Sequence, residues 1–124
     1  MGWGDFQAID AAEKREYFPL SSAQKRLFIL DRFENIGTSY NTPFFFRMGG
    51  KLDEERFQSI LRILIDRHES LRTCFTMGGA TPVQVIREEV NFQVEKMERG
   101  NRGIEDIIAE FVRPFDLSVP PLFR

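Results

Sequence analysis

With 124 residues, 42% hydrophobic and 29% charged, the chain is sized for one compact domain and is too apolar for a disordered tract. A formal net charge of −2, with acids and bases mixed along the chain, argues against a broad nucleic-acid or membrane surface. One cysteine, Cys74, leaves no internal disulfide to form, no apolar stretch reaches bilayer length, and residues 1–5 have neither the basic segment nor the apolar run of a secretory signal. A reducing cytoplasm is therefore the expected location.

In chain order, residues 1–16 read as a linker or N-terminal tail, with a short charged helix conceivable over residues 10–16 but no apolar stripe to dock it. Residues 17–20 are extended, because the residue before Pro19 is pushed toward β geometry. Ser21 begins a helix and pairs with Gln24 in a capping box. Ala23, Leu27 and Leu30 share one face of that helix, widened by Phe28, Ile29 and Phe33. Polar residues 34–42 form a loop, and residues 44–48 (Phe-Phe-Phe-Arg-Met) are the best strand candidate, with Pro43 at the start where its missing donor matters least. Apolar side chains on both faces imply a strand covered from two sides.

The clearest helix follows. Asp53 caps it, Glu54 and Glu55 meet the positive end of its dipole, and Leu52 is placed to staple onto Phe57. Phe57, Ile60, Leu61, Leu64, His68 and Leu71 recur at helical spacing. Residues 73–77, a Gly78-Gly79 turn and residues 83–87 suggest a hairpin, and residues 92–97 alternate more weakly. A last helix spans about residues 104–112, turns Ile104, Ile107, Ile108 and Phe111 inward, and stops at Pro114. Residues 115–121 connect irregularly to Leu122-Phe123-Arg124, which reads as the first residues of another strand. Thirteen of the sixteen aromatic residues are Phe, so a dry core is the default expectation.

The chemistry-bearing residues are few. His68 is the only histidine, and with Cys74 six positions on it makes none of the usual metal spacings. On the inner side of an amphipathic helix it reads better as a hydrogen-bonded structural residue than as part of a Ser-His-Asp or Cys-His arrangement. Cys74, between Thr73 and Phe75, reads as a small core residue rather than a nucleophile. Arg67, Glu69 and Arg72 form either a substrate clamp or a structural set; arginines at a helix end satisfy free carbonyls without any ligand, which favours the second. Gly49-Gly50 and Gly78-Gly79 are turn glycines, since neither has the context of a phosphate-binding loop. From these residues alone the chain is a soluble α/β domain of open function.

Two stretches carry more. Ser21-Ser22-Ala23-Gln24-Lys25-Arg26-Leu27-Phe28 and Arg67-His68-Glu69-Ser70-Leu71-Arg72-Thr73-Cys74-Phe75 resemble the first two signature motifs of the condensation domains of nonribosomal peptide synthetases. Ser39-Tyr40-Asn41-Thr42-Pro43 resembles the loop leading into that family's first long strand, and Arg113-Pro114-Phe115-Asp116-Leu117 with Pro121-Leu122-Phe123-Arg124 resembles the segment before the strand that reaches its catalytic loop. Four matches in order cover residues 17–124. The family's catalytic motif, His-His-x-x-x-Asp-Gly, is absent from the 124 residues.

The resemblance implies an α/β fold of α+β sandwich type, a partial N-terminal lobe of the chloramphenicol acetyltransferase-like fold, with residues 17–124 as the N-terminal part of a condensation domain that stops before its catalytic motif. It implies that peptidyl carrier proteins and adjoining synthetase domains are the partners, with neither nucleic acid nor membrane. No cofactor is bound directly, and phosphopantetheine is carried by the partners. The activity implied for the parent domain is amide bond formation between carrier-bound thioesters, and the 124 residues themselves are expected to be inactive. Ser22, Gln24, Arg26, Arg67, His68, Glu69 and Arg72 are implied to be structural support for the active site, with Arg67 and Arg72 bracing the catalytic loop from beneath. An epimerisation or heterocyclisation relative, or a noncatalytic carrier-binding module, are the alternatives.

Overall fold

A computed structural model describes residues 9–34 and 36–124. Its elements are a two-residue strand β1 (Phe18–Pro19), helix α1 (Ser22–Glu34), helix α2 (Glu54–Arg67), a 3-10 turn (Glu69–Arg72), strands β2 (Thr73–Gly78) and β3 (Thr81–Ile86), and helix α3 (Ile104–Phe111). Among the described residues the content is mixed, three α-helices with one small antiparallel sheet in the order β1-β3-β2. Of the expected linker, residues 1–8 lie outside the described residues; residues 9–16 are exposed and carry no helix. With no apolar stripe, the charged run there has nothing to dock it, and an isolated helix that short does not hold in water.

The hairpin is the firmest part of the sheet. Its register runs from Thr73 opposite Ile86 to Gly78 opposite Thr81, leaving Gly79-Ala80 as a two-residue loop. Gly79 has φ +73°, the positive value that a twist-matched hairpin turn requires at its first central position. Inward alternation buries Cys74 completely and covers Val83, while the Cys74 thiol points at the Val85 carbonyl, 3.6 Å away. β1 covers only Val83 and Gln84 on the other side of β3, so Pro82 sits where no neighbour needs its missing donor.

Both main helices start as expected. The Ser21 N–H donates to the Gln24 side-chain oxygen at 2.8 Å and the Gln24 N–H donates to the Ser21 hydroxyl at 3.2 Å, a complete capping box. The Asp53 carboxylate accepts the Arg56 N–H at 3.0 Å, with Glu54 and Glu55 in the first turn. What they bury departs from the expected faces. Phe28 is the only buried residue of α1, with Gln24 and Asp31 half-covered beside it, while Ala23, Leu27, Ile29 and Phe33 are exposed and Leu30 is half-covered. In α2 only Ile65 is buried; Phe57, Ile60 and Leu64 are exposed, and so is Leu52, the expected staple partner. α2 also ends at Arg67 rather than carrying on to Leu71, because His68 leaves the helix with extended dihedrals.

Three expected strands do not form. Residues 44–48 are irregular, and Phe44 and Phe46 are 72% and 84% exposed. β propensity describes a side chain that suits a pleated, covered surface, and among the described residues no strand lies beside this one to supply it. Residues 92–97 also join no ladder, for a different reason. The Gln58 side chain takes the place of a neighbouring strand: its Nε2 donates to the Phe92 carbonyl at 2.8 Å and its Oε1 accepts the Val94 N–H at 2.6 Å. Lys96 then pairs with Glu54 at 2.8 Å, which ties the segment along α2. Phe92 is buried as a result and stacks on Phe123 with ring centroids 4.8 Å apart. α3 half-buries Ile107, Ile108 and Phe111 but leaves Ile104 exposed, and residues 122–124 form no strand.

Candidate functional site

The run from Arg67 to Phe75 folds as helix end, 3-10 turn and strand start, and Arg72 is what closes it. Its Nε donates to the Ile65 carbonyl at 3.1 Å and its Nη2 to the Asp66 carbonyl at 3.3 Å, two of the acceptors that the last turn of α2 leaves unpaired. Nη1 reaches the Arg87 carbonyl just past β3 at 2.5 Å, and the Arg87 N–H returns a bond to the Arg72 carbonyl at 3.0 Å. One planar, permanently charged fork therefore fastens a helix terminus to the far end of the hairpin. Beside it the Thr73 hydroxyl donates to the Glu69 carbonyl at 2.8 Å, so a buried hydroxyl is satisfied inside the 3-10 turn.

The earlier run, Ser21 to Phe28, meets Phe75 across a cavity of about 580 Å³. α1 contributes Gln24, Leu27, Phe28 and Asp31; the loop contributes residues 40–44; α3 and the C-terminal segment contribute Phe111, Phe115, Phe123 and Arg124. Three polar contacts hold this far wall. The Phe75 N–H donates to the Leu117 carbonyl at 2.7 Å, which seats the C-terminal segment on the free edge of β2. The Asn41 amide donates to the Arg113 carbonyl at 2.9 Å, joining loop and α3 end across seventy-two residues of sequence. The Arg124 guanidinium lies 4.0 Å above the Phe115 ring and donates through Nη2 to the Pro114 carbonyl at 3.2 Å.

Charge on that wall is not balanced. Arg113 pairs with Glu95, whereas Arg124 has no carboxylate partner among the described residues. Burial pushes the Arg124 guanidinium below its ordinary value, the nearby Arg113 charge adds to that, and Glu95 works the other way. Asp116 is different: donation from the Ser118 hydroxyl, and then from the Ser118 N–H, holds its carboxyl below the usual range.

The residues singled out from sequence are therefore divided. Gln24 lines the cavity; Arg72 works behind it as the helix-to-hairpin fastener. Ser22, Arg26, Arg67, His68 and Glu69 are exposed and do not line it. His68 corrects the expectation of an inward-facing residue: the helix stops one residue before it, so it caps α2 through its backbone N–H to the Leu64 carbonyl and its ring is left outside. Among the described residues, no group of three His, Cys, Asp or Glu side chains is placed to hold a metal ion, and no helix is long and apolar enough to cross a membrane. Asn41, Gln58 and Arg124 were not picked out for these contacts; each bonds a segment far away in sequence or sits in an irregular stretch, where periodicity gives no signal.

Comparison with known proteins agrees with the arrangement of motifs. A family model described as the condensation domain matches residues 14–124. Bacitracin synthase 3 of Bacillus licheniformis is 48% identical over 119 residues, covering 96% of this chain and 2% of that protein. Gramicidin S synthase 2 of Brevibacillus brevis is 45% identical and surfactin synthase subunit 1 of Bacillus subtilis (strain 168) is 47% identical, each over 119 residues that make up 3% of the relative. The chain thus spans only a few hundredths of the length of the curated relatives it matches.

Proposed function

This chain belongs to the condensation domain family, and on that premise we propose that it forms the N-terminal wall of a catalyst joining two carrier-bound thioesters through an amide bond. The single observation that carries the reading is that each signature segment is fixed locally where it faces the other across the cavity: a reciprocal cap starts α1, and the Arg72 fork fixes the helix end and hairpin that present Phe75 opposite it. Such positioning matters because bond formation here depends on orientation. The acceptor's amine, with an ordinary pKa of about 8, is already substantially unprotonated near neutral pH. Its nitrogen attacks the donor's acyl carbon, the carbon–sulfur bond breaks, the donor arm leaves as a thiol and the amine gives up one proton. Holding the two arms in attack geometry replaces an encounter in solution by a nearly unimolecular step.

In this reading the fold is the chloramphenicol acetyltransferase-like sandwich, the partners are peptidyl carrier proteins, and phosphopantetheine arrives as part of the substrates. Arg67, His68 and Glu69 stand on the outer side of the second signature segment and Ser22 and Arg26 on that of the first, as surfaces against which further structure packs. The group that positions the amine or relays its proton belongs to the His-His-x-x-x-Asp-Gly motif, which these residues do not contain. A chimera tests the proposal: residues 17–124 replace the matching segment in a bacitracin synthase condensation domain supplied with loaded donor and acceptor carriers. The expected result is a dipeptidyl thioester detected by mass spectrometry, with no product from the 124-residue chain alone. A folded chimera that binds both carriers and makes no amide overturns it.

A further inference from the structure

We draw no further inference here: the strongest candidate, the exposed apolar stripe of α2 formed by Phe57, Ile60, Ile63 and Leu64, is an unpartnered helix face among the described residues, and nothing in the structure shows what covers it.

Discussion

Replacing Arg72 by alanine removes three donors from three backbone carbonyls at once, at Ile65, Asp66 and Arg87. Bonds to a charged group are each worth about 1.5–3 kcal/mol, but Arg72 is half-exposed, the bond to Asp66 is long at 3.3 Å, and water can reach the freed carbonyls in part. The expected loss is about 2–3 kcal/mol. For a chain of this length that corresponds to roughly a 10 °C fall in Tm, or about 1–2 M in the urea midpoint. R72K keeps the charge but not the fork and should recover less than half. Urea unfolding followed by far-ultraviolet circular dichroism gives the first reading. Amide exchange gives the second, because the Arg87 N–H, bonded to the Arg72 carbonyl, should lose protection first. An R72A chain within about 0.5 kcal/mol of the unsubstituted one, or an R72K chain equal to it, refutes the claim that this guanidinium fastens α2 to the hairpin.

S21A breaks half of the capping box and should cost about 1 kcal/mol, read from helix fraying in amide exchange over the first turn of α1. Q58L keeps the bulk but frees the Val94 N–H and leaves the Phe92 carbonyl only the longer 3.4 Å bond from Arg62 Nε; a loss of about 1–3 kcal/mol with rapid exchange at Val94 is expected, and unchanged protection there would show that the segment holds itself. Asp116 accepts from the Ser118 hydroxyl and N–H more strongly as the carboxylate than as the acid, so its folded pKa is below the unfolded one. The stability it contributes is present above the unfolded pKa and disappears as pH falls through the folded value. Carbon-detected titration of the Asp116 carboxyl should place its midpoint below that of an unstructured aspartate, and S118A should move it back up.

Legibility from sequence followed the range of the interaction. The cap at Ser21 and Gln24, the cap at Asp53 and the glycine turn each depend on residues within three positions of one another; both caps form as written, and the turn expected at Gly78-Gly79 forms one residue later, at Gly79-Ala80. The pairing of Thr73–Gly78 with Thr81–Ile86 followed because the turn sets the register. The misreadings concern what lies opposite. Periodicity places Leu27 and Phe28 on one apolar stripe, but which of them meets a neighbour is decided by where α3 and the C-terminal segment lie. His68 was assigned inward on the assumption that α2 continues, and one residue of extended backbone reversed it. For the candidate site, Gln24, Arg72, Asn41 and Arg124 all stood in motif-like segments, but the contacts that Asn41 and Arg124 make are ones that no local pattern encodes.

Those same contacts explain how firmly each part is held. The chain exposes 10973 Å² of surface, against roughly 6,900 Å² for a compact monomer of its size, so burial contributes less than a protein of this length ordinarily draws from it. Buried apolar residues among those described are Phe28, Ile65, Cys74, Val83 and Phe92, and four of these belong to α2, the hairpin and the segment clamped along α2 by Gln58. That half carries the Arg72 fork, the strand ladder and the Lys96–Glu54 pair as well. α1 and α3 instead face one another across the open cavity, joined through the Asn41 bond to the Arg113 carbonyl, while the C-terminal segment is seated on β2 by the Phe75-to-Leu117 bond. Apolar surface that borders a cavity loses dispersion contacts on that side, so filling it raises stability by whatever the occupant binds in the folded state alone. The second signature segment is thus fastened by hydrogen bonds and strand pairing within its own half of the molecule, while the first meets it only across the cavity, so an occupant of that space would stabilise the first segment more than the second.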